Sequence, residues 1–341
     1  MRLTFSEIKN KIRKIIPEGI DYDVDLEAGS ISVITKEPAS FGGAGGQSLT
    51  VKIAKAVRRR VVIRPHPDLL SSENEVNDAV SRIMPEEALI RRIWLDPALS
   101  EVTIEADDPK SAVGQKGTNI QQLRNEIGWL VNVVRAPARE SRTQTDIRRF
   151  RKELADERKT LLRKFGTRIY RPQRPGPPWV RVTALGSYRE VGRAMHLVTT
   201  NESKVLVDCG AKPTNNRSEV QPFFAAPEML PLDNIDAVVI THAHVDHIGM
   251  LPVLFKYGYK GPVYCTQPTR DLMTLLQMDY IKVSQAEGND PPYSKSDIQE
   301  CIKHVVDINW GEKTDIAPDI KMTMENAGHI LGSSSVYMQI G

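Results

Sequence analysis

The chain has 341 residues, a formal net charge of +3 at neutral pH and 40% hydrophobic side chains. This length predicts two or three domains, with enough apolar content for sizeable cores. No run of eighteen apolar residues occurs, and the N-terminal segment is too charged for a signal peptide, so we expect a soluble cytoplasmic protein without membrane contact. The cysteines form no C-x-x-C pair, which predicts buried thiols at Cys209, Cys265 and Cys301.

The first 67 residues predict a small α/β unit. An amphipathic helix over 1–17 precedes strands at 20–26 and 30–35, a glycine-rich segment, a helix ending near Arg58 and a strand at 60–64. This order resembles a KH-type RNA-binding fold. Because no basic residue lies between the glycines, we interpret residues 1–67 as a KH-like domain with a degenerate loop formed by Gly42, Gly43, Gly45 and Gly46.

Residues 68–138 repeat this order as a KH domain with a complete glycine loop. The pattern predicts helices at 71–83, 86–92 and 118–127 and strands at 100–105 and 130–135. The loop precedes the last helix, where free backbone amides and the helix dipole favour phosphate. We expect single-stranded RNA to bind there, although the glycines could instead form only a tight turn. The predicted contacts are Gly114, Gln115, Lys116 and Gly117.

Residues 139–178 form a basic helix and a proline-rich linker. The net charge over 135–174 is roughly +9, so one helix face should attract a phosphodiester backbone. We predict RNA contacts for Arg148, Arg149 and Lys152. The alternative is a solvated helix face that only bridges two domains. The prolines of 171–178 mark the clearest domain boundary.

From Trp179 onward the pattern is rich in strands, predicted at 180–185, 195–200 and 204–208. A short apolar strand at 237–241 then leads into a cluster of polar residues. His242 and His244 lie two apart on extended chain, so their rings point the same way. Asp246 and His247 follow at the first turn of a helix. Imidazole nitrogen and carboxylate oxygen are ligands that suit zinc, so the motif H-x-H-x-D-H predicts a metal site.

The motifs around this cluster resemble those of a known family. They are similar to the metallo-β-lactamase superfamily and, within it, to the β-CASP ribonucleases related to the cleavage and polyadenylation specificity factor, in their archaeal form. The resemblance covers essentially the whole chain. It implies an α+β fold, with two N-terminal KH-like domains followed at 179–341 by the first part of an αββα sandwich. The supporting segments are 185–193, 205–210 and 327–333.

The resemblance also implies a function. It suggests a zinc-dependent endoribonuclease that cleaves single-stranded RNA in 3′-end formation and transcription termination, with two Zn²⁺ per complete site. His242, His244 and His329 would hold one zinc, and Asp246 and His247 the other. Asp208 would orient the site by hydrogen bonding, so Asp208, Asp246 and His247 are the implied catalytic residues. The implied partners are RNA polymerase and elongation factors, and the complete protein would be a homodimer.

One difference from the family affects the expected activity. The family continues into a β-CASP domain with further catalytic residues, whereas this sequence stops at Gly341. We therefore expect a partial protein with weak or no activity by itself. Alternative interpretations are an RNA-binding portion without activity, another metallo-β-lactamase-fold hydrolase such as a thioesterase or lactamase, and a structural protein stabilised by metal.

Overall fold

The computed structural model describes residues 3–42, 48–173, 176–212 and 220–341, which confirm the predicted α+β class. Three glycines of the degenerate loop, Gly43, Gly45 and Gly46, lie outside the described residues. The chain forms two compact units. The first consists of Glu7–Glu27 and Ile31–Thr160, and the second of Leu161–Gly341 with Ala28–Ser30 and the N-terminal residues up to Ser6. The domain boundaries proposed at 67, 138 and 178 stay predictions.

The chain begins with a three-stranded sheet of order β1-β2-β3, in which β2 and β3 are parallel. Ile8 and Ile12 of the first helix are fully buried, as its amphipathic pattern predicts. The second helix starts at Ser48, whose hydroxyl accepts a hydrogen bond from the amide of Val51. The elements are α1 Phe5–Arg13, β1 Tyr22–Glu27, β2 Ser30–Thr35, α2 Leu49–Val57 and β3 Val61–Pro65.

A second three-stranded sheet, of order β4-β5-β6, follows in the first unit. Apolar side chains of α3 and α5 pack with those of the three strands into one core. The buried guanidinium of Arg64 on β3 pairs with both Glu27 and Glu101 and so connects the two sheets. The elements are α3 Glu73–Ile83, β4 Ile90–Asp96, β5 Glu101–Ala106, α4 Pro109–Val113, α5 Thr118–Ile127 and β6 Leu130–Arg135.

The helix predicted over 86–92 is wrong. Only the single 3-10 turn Glu86–Ala88 is helical, and Leu89 ends it with a left-handed φ of 48°. Ile90 then begins β4, which pairs antiparallel with β5 along its length. The isoleucine and tryptophan side chains of β4 pack well on a pleated sheet, so pairing with β5 decides the conformation.

The basic segment forms two helices, α6 Arg142–Glu153 and α7 Ala155–Ile169, separated at Leu154. Ser141 begins α6 by accepting a hydrogen bond from the amide of Gln144. Arg158 of α7 is buried and donates to both carboxylate oxygens of Asp96. Part of the predicted basic face is therefore directed into the protein.

The second unit contains a six-stranded sheet of order β12-β11-β10-β9-β8-β7 and a three-stranded sheet of order β13-β14-β15. Strands β9 to β12 are parallel neighbours. The strands are β7 Val180–Ala184, β8 His196–Thr200, β9 Lys204–Val207, β10 Ala237–Val239, β11 Val263–Cys265, β12 Val305–Asp307, β13 Lys313–Ala317, β14 Ile320–Asn326 and β15 Ser334–Ile340. The helices are α8 Val245–Ile248, α9 Leu251–Lys256, α10 Gln267–Ala286 and α11 Lys295–His304.

The two sheets of the second unit pack face to face. Side chains of β9, β10 and β11 share one apolar core with those of β13 and β14, including Val239, Tyr264 and Met322. Because β9 and β10 are parallel, the residues after their carboxyl ends meet at the same edge of the sheet. All three cysteines are buried free thiols, as predicted. In the described ranges, no helix is long and apolar enough to cross a bilayer.

Candidate metal centre

Three histidines converge at this edge of the large sheet. His242 Nε2 lies 3.2 Å and His329 Nε2 lies 3.1 Å from His244 Nδ1. Tetrahedral zinc with bonds of about 2.0–2.1 Å separates its nitrogen ligands by roughly 3.3 Å, so the spacing fits a shared ion. In the described part of the chain, this is the one group of three or more potential metal ligands whose atoms all lie within 4.8 Å of one another.

A hydrogen-bond chain sets the proton position on His242. The carboxylate of Asp208 accepts from the Thr241 hydroxyl, at 2.9 and 3.1 Å, and from the Thr241 amide at 2.8 Å. Because the Thr241 hydroxyl proton points to Asp208, the hydroxyl oxygen of Thr241 accepts a hydrogen bond from His242 Nδ1 at 2.9 Å. The lone pair of His242 Nε2 is thereby directed at the other two histidines. Burial, aided by neighbouring His247, lowers the pKa of His242 to about 4 and keeps the ring neutral.

Asp208 also binds the fourth histidine of the motif. His247 Nδ1 donates to Asp208 Oδ2 at 2.7 Å, so Nε2 carries no proton in the neutral ring. This Nε2 lies 3.7 Å from Asp246 Oδ2. Burial alone lowers the pKa of His247, but the hydrogen bond and charge of Asp208 outweigh it and raise the pKa. The rings of His247 and His242 are 4.0 Å apart between centroids. Asp246 and His247 therefore lie next to each other, with His247 directly beside His242.

Backbone geometry holds these residues close together. Asp208 has a left-handed φ of 60°, and the chain after it runs against the ligand segment through the bonds Cys209 N to His247 O and Ala211 N to Val245 O. Gly210 lies between these two bonds. A Cβ atom at Gly210 would approach the carbonyl oxygen of Asp246 to 1.6 Å, so only glycine fits.

A set of hydroxyl groups positions the loop of His329. The Ser333 hydroxyl accepts from the backbone amides of His329 and Ile330, at 3.1 and 3.2 Å. The hydroxyls of Thr266 and Thr269 donate to the carbonyl of Gly332, at 2.7 and 2.9 Å. The sequence interpretation missed these supports and Thr241. Of these residues, only Thr241 could have been suspected from the sequence, because it directly precedes His242.

The predicted glycine loop of the KH domain lies at the start of α5. Gly114 has φ 74°, Lys116 φ 52° and Gly117 φ 79°, so three of its four residues adopt left-handed backbone. A Cβ on Gly114 would come within 2.7 Å of the Asn119 side chain. The side chains of Gln115 and Lys116 are exposed. The loop therefore projects one amide and one ammonium group to solvent next to a helix N-terminus.

The predicted contacts on the basic helix have different surroundings. Arg148 pairs with the buried Glu105, and its guanidinium carbon lies 4.8 Å from the centre of the Trp94 ring. Lys152 pairs with Glu73 at 2.7 Å. Arg149 is exposed. The position of Arg148 favours a structural role, so Arg149 is the strongest of the three candidates for an RNA contact.

Family matches cover the N-terminal residues and the segment around the candidate metal centre, but not the glycine loop at 114–117. Residues 2–70 match the family described as the KH domain of transcription termination factor FttA. Residues 197–339 match the metallo-β-lactamase superfamily domain. Proteins named transcription termination factor FttA are 43% identical in Methanosarcina mazei and 40% in Pyrococcus abyssi, over 98% of this chain and 52% of each relative. The chain is similar to the FttA proteins along nearly its whole length. This confirms the predicted resemblance to archaeal KH-containing metallo-β-lactamase proteins.

The FttA similarity extends beyond these two species. The FttA protein of a Lokiarchaeum is 37% identical over 99% of this chain and 53% of its own length. The chain thus spans about half the length of the FttA relatives that it matches. Among solved structures, the chain is similar to the metallo-β-lactamase fold protein YhfI of Bacillus subtilis, at 19% identity and a TM-score of 0.29 over 46% of this chain and 57% of that one. So low a TM-score adds nothing to the assignment.

Proposed function

We propose that this chain provides the RNA-binding loop and the metal centre of a zinc-dependent endoribonuclease acting in transcription termination. The observation that carries the proposal is the convergence of His242, His244 and His329, with Asp246 and His247 beside them. The name of the relatives, transcription termination factor FttA, supports the termination role. By the same resemblance, we propose RNA polymerase and its elongation factors as partners of a homodimeric whole protein in the cytoplasm.

The donor set fits zinc. His242, His244 and His329 would hold one ion through neutral imidazole nitrogens, and Asp246 and His247 a second. Zinc supplies a Lewis acid and an acidified water for attack on a phosphodiester. The Asp208 carboxylate accepts a hydrogen bond from His247 Nδ1, so His247 Nε2 points away from Asp208. Thr241, which is bound to the same carboxylate, orients His242 in the same way. In its neutral form each ring therefore presents an unprotonated Nε2 without rearrangement.

The RNA would be held by the loop at the start of α5. Backbone amides at the helix N-terminus and the ammonium of Lys116 complement the phosphate charge. Lys116→Glu should weaken binding of a single-stranded RNA and reduce the dependence of affinity on salt by about one phosphate contact. Lys282→Glu, an exposed lysine of α10, is the matched control and should change neither quantity. Equal effects of the two substitutions would contradict a specific role for the loop.

Zinc content and cleavage test the metal centre. We expect purified protein to retain zinc, and His244→Ala to lose it, whereas His66→Ala, at a histidine outside the cluster, should not. Two protein ligands bind an ion more weakly than three, so the ion at Asp246 and His247 should be lost first on dialysis. Cleavage of a labelled single-stranded RNA should need zinc and stop with chelator. Cleavage that persists in chelator or in His244→Ala would refute the proposal.

A second function has its own support in the structure. The glycine loop at 114–117 lies in a unit that contains none of the metal-centre residues. The chain could accordingly act as an RNA-binding portion without cleavage of its own. RNA affinity that is unchanged by chelator, with no cleavage product at any zinc concentration, would favour this second function.

A further inference from the structure

A cavity of about 790 Å³ lies in the second unit, outside the set of candidate metal ligands. Its size falls in the range of roughly 300–1,000 Å³ that is usual for ligand pockets. The walls come from three segments: the chain around Leu185 and Arg193, the chain at 221–232, and Tyr257 after α9. None of the residues assigned to the metal centre lines this cavity.

The cavity displays aromatic side chains to solvent. Phe223 is 61% and Tyr257 58% exposed, and Leu230 beside them is 52% exposed. Phe224 packs edge-on against Tyr257, with ring centroids 6.3 Å apart and planes at 85°. Exposed aromatic groups gathered at one concave site are typical of a binding surface.

Hydrogen bonds join the cavity wall to the metal-ligand segment. The amide of Arg193 donates to Ala211 O at 3.1 Å, and the amide of the next residue, Ala194, donates to Asp246 O at 2.8 Å. On the other side, the amide of Phe223 donates to Leu185 O at 2.9 Å. The backbone of the cavity wall is therefore hydrogen-bonded to the segment that carries the proposed ligand Asp246.

The charged groups near the cavity are hydrogen-bonded to one another. The Arg193 guanidinium donates to both oxygens of Glu190, at 2.6 and 3.1 Å, and to the backbone carbonyl of Gln221 at 3.2 Å. Lys212 donates to the same carboxylate at 3.1 Å. These hydrogen bonds lower the pKa of Glu190 to about 2, so the carboxylate stays ionised and offsets one of the two neighbouring positive charges.

We propose that this cavity binds a nucleobase of the single-stranded RNA whose phosphate is presented to the metal centre. The assignment rests on the proposed function. A base offers a π face for Phe223 and Tyr257 and polar edges for the exposed Gln221. Base stacking on aromatic side chains is largely independent of sequence, so the cavity would hold the strand without selecting one base.

The test compares RNA affinities in chelator, where no cleavage can occur. The probes are a labelled oligouridylate and an abasic oligomer with the same number of phosphates, measured by fluorescence anisotropy. Phe223→Ala and Tyr257→Ala should each weaken oligouridylate binding about tenfold, and Tyr257→Phe should restore it. Neither alanine substitution should affect the abasic oligomer. Tyr337→Ala removes an equally exposed tyrosine, at 63%, outside the cavity lining and should have no effect.

The outcomes separate this assignment from the function on which it rests. If the unsubstituted chain binds neither probe, the proposed function and the nucleobase assignment both fail. If it binds oligouridylate and the affinity is unchanged by Phe223→Ala and Tyr257→Ala, only the nucleobase assignment fails, and an apolar segment of a protein partner becomes the better occupant. Thermal unfolding midpoints equal to that of the unsubstituted chain will verify that the variants fold.

Discussion

Replacing Asp208 with asparagine should remove one metal position and spare the other. Asp208 is only 4% exposed and accepts from the amide and hydroxyl of Thr241 and from His247 Nδ1. Asparagine tolerates the left-handed backbone at this position, so the fold around it should persist. The amide oxygen can still accept from Thr241, and the amide nitrogen then faces His247.

This exchange reverses the proton position on His247. Nδ1 must now accept from the asparagine side chain, so Nε2 carries the proton and cannot bind a metal. Loss of such a supporting hydrogen bond usually weakens metal binding by about 10- to 100-fold. The lost charge-assisted hydrogen bond should also reduce the free energy of unfolding by about 1.5–3 kcal/mol. The three-histidine position keeps its Thr241 contact and should bind zinc almost unchanged.

Competition with a chromogenic chelator measures both zinc affinities. Asp208→Asn should lower the affinity of the weaker zinc relative to the unsubstituted protein. Thr241→Val, which removes the acceptor of His242 Nδ1, should lower the affinity of the stronger zinc. Thr241→Ser keeps the hydroxyl and serves as the control. Two unchanged zinc affinities in Asp208→Asn would refute the role of Asp208 in fixing the His247 ring.

Three further predictions follow from local geometry. Gly210→Ala should lower the thermal midpoint and the zinc content together, whereas Gly176→Ala, whose Cβ meets no atom within 3.4 Å, should match the unsubstituted protein in both measurements. Ser333→Ala should weaken zinc binding at the three-histidine position by releasing the His329 loop, measured by chelator competition; an unchanged affinity would exclude that role. Burial lowers the pKa of His304, so the unfolded state takes up its proton first and the free energy of unfolding should fall as pH drops below about 6.5. Urea unfolding at several pH values should show a smaller fall in His304→Gln, and equal slopes would contradict this account.

The metal motif could be predicted because its ligands are local. His242, His244, Asp246 and His247 fall within six residues that follow an apolar strand, so their convergence needs only one turn. His329 lies 85 residues from its partner His244, and only the family resemblance identified it. The supporting role of Thr241 depends on Asp208, 33 residues earlier, which becomes its neighbour only when β9 and β10 pair.

The basic segment shows why a local count of charges was less informative. Its arginines and lysines lie among few acids in the sequence, yet Arg148 meets Glu105 from 43 residues earlier and Lys152 meets Glu73 from 79 residues earlier. Those carboxylates belong to β5 and α3, so only the folded structure shows the pairing. The false helix at 90–92 has the same cause, because its conformation depends on pairing with β5.

The arrangement around Asp208 explains why a carboxylate that binds no metal should matter as much as a ligand. A histidine can bind zinc only through an unprotonated nitrogen, and an isolated imidazole can place its proton on either one. Here a single carboxylate orients His247 directly and His242 through Thr241. Because Asp208 fixes rings in both proposed metal positions, its removal should affect both, whereas asparagine, which keeps one acceptor, should affect only one. Asp208→Ala should therefore lose more zinc than Asp208→Asn, in addition to the strain of alanine at φ 60°.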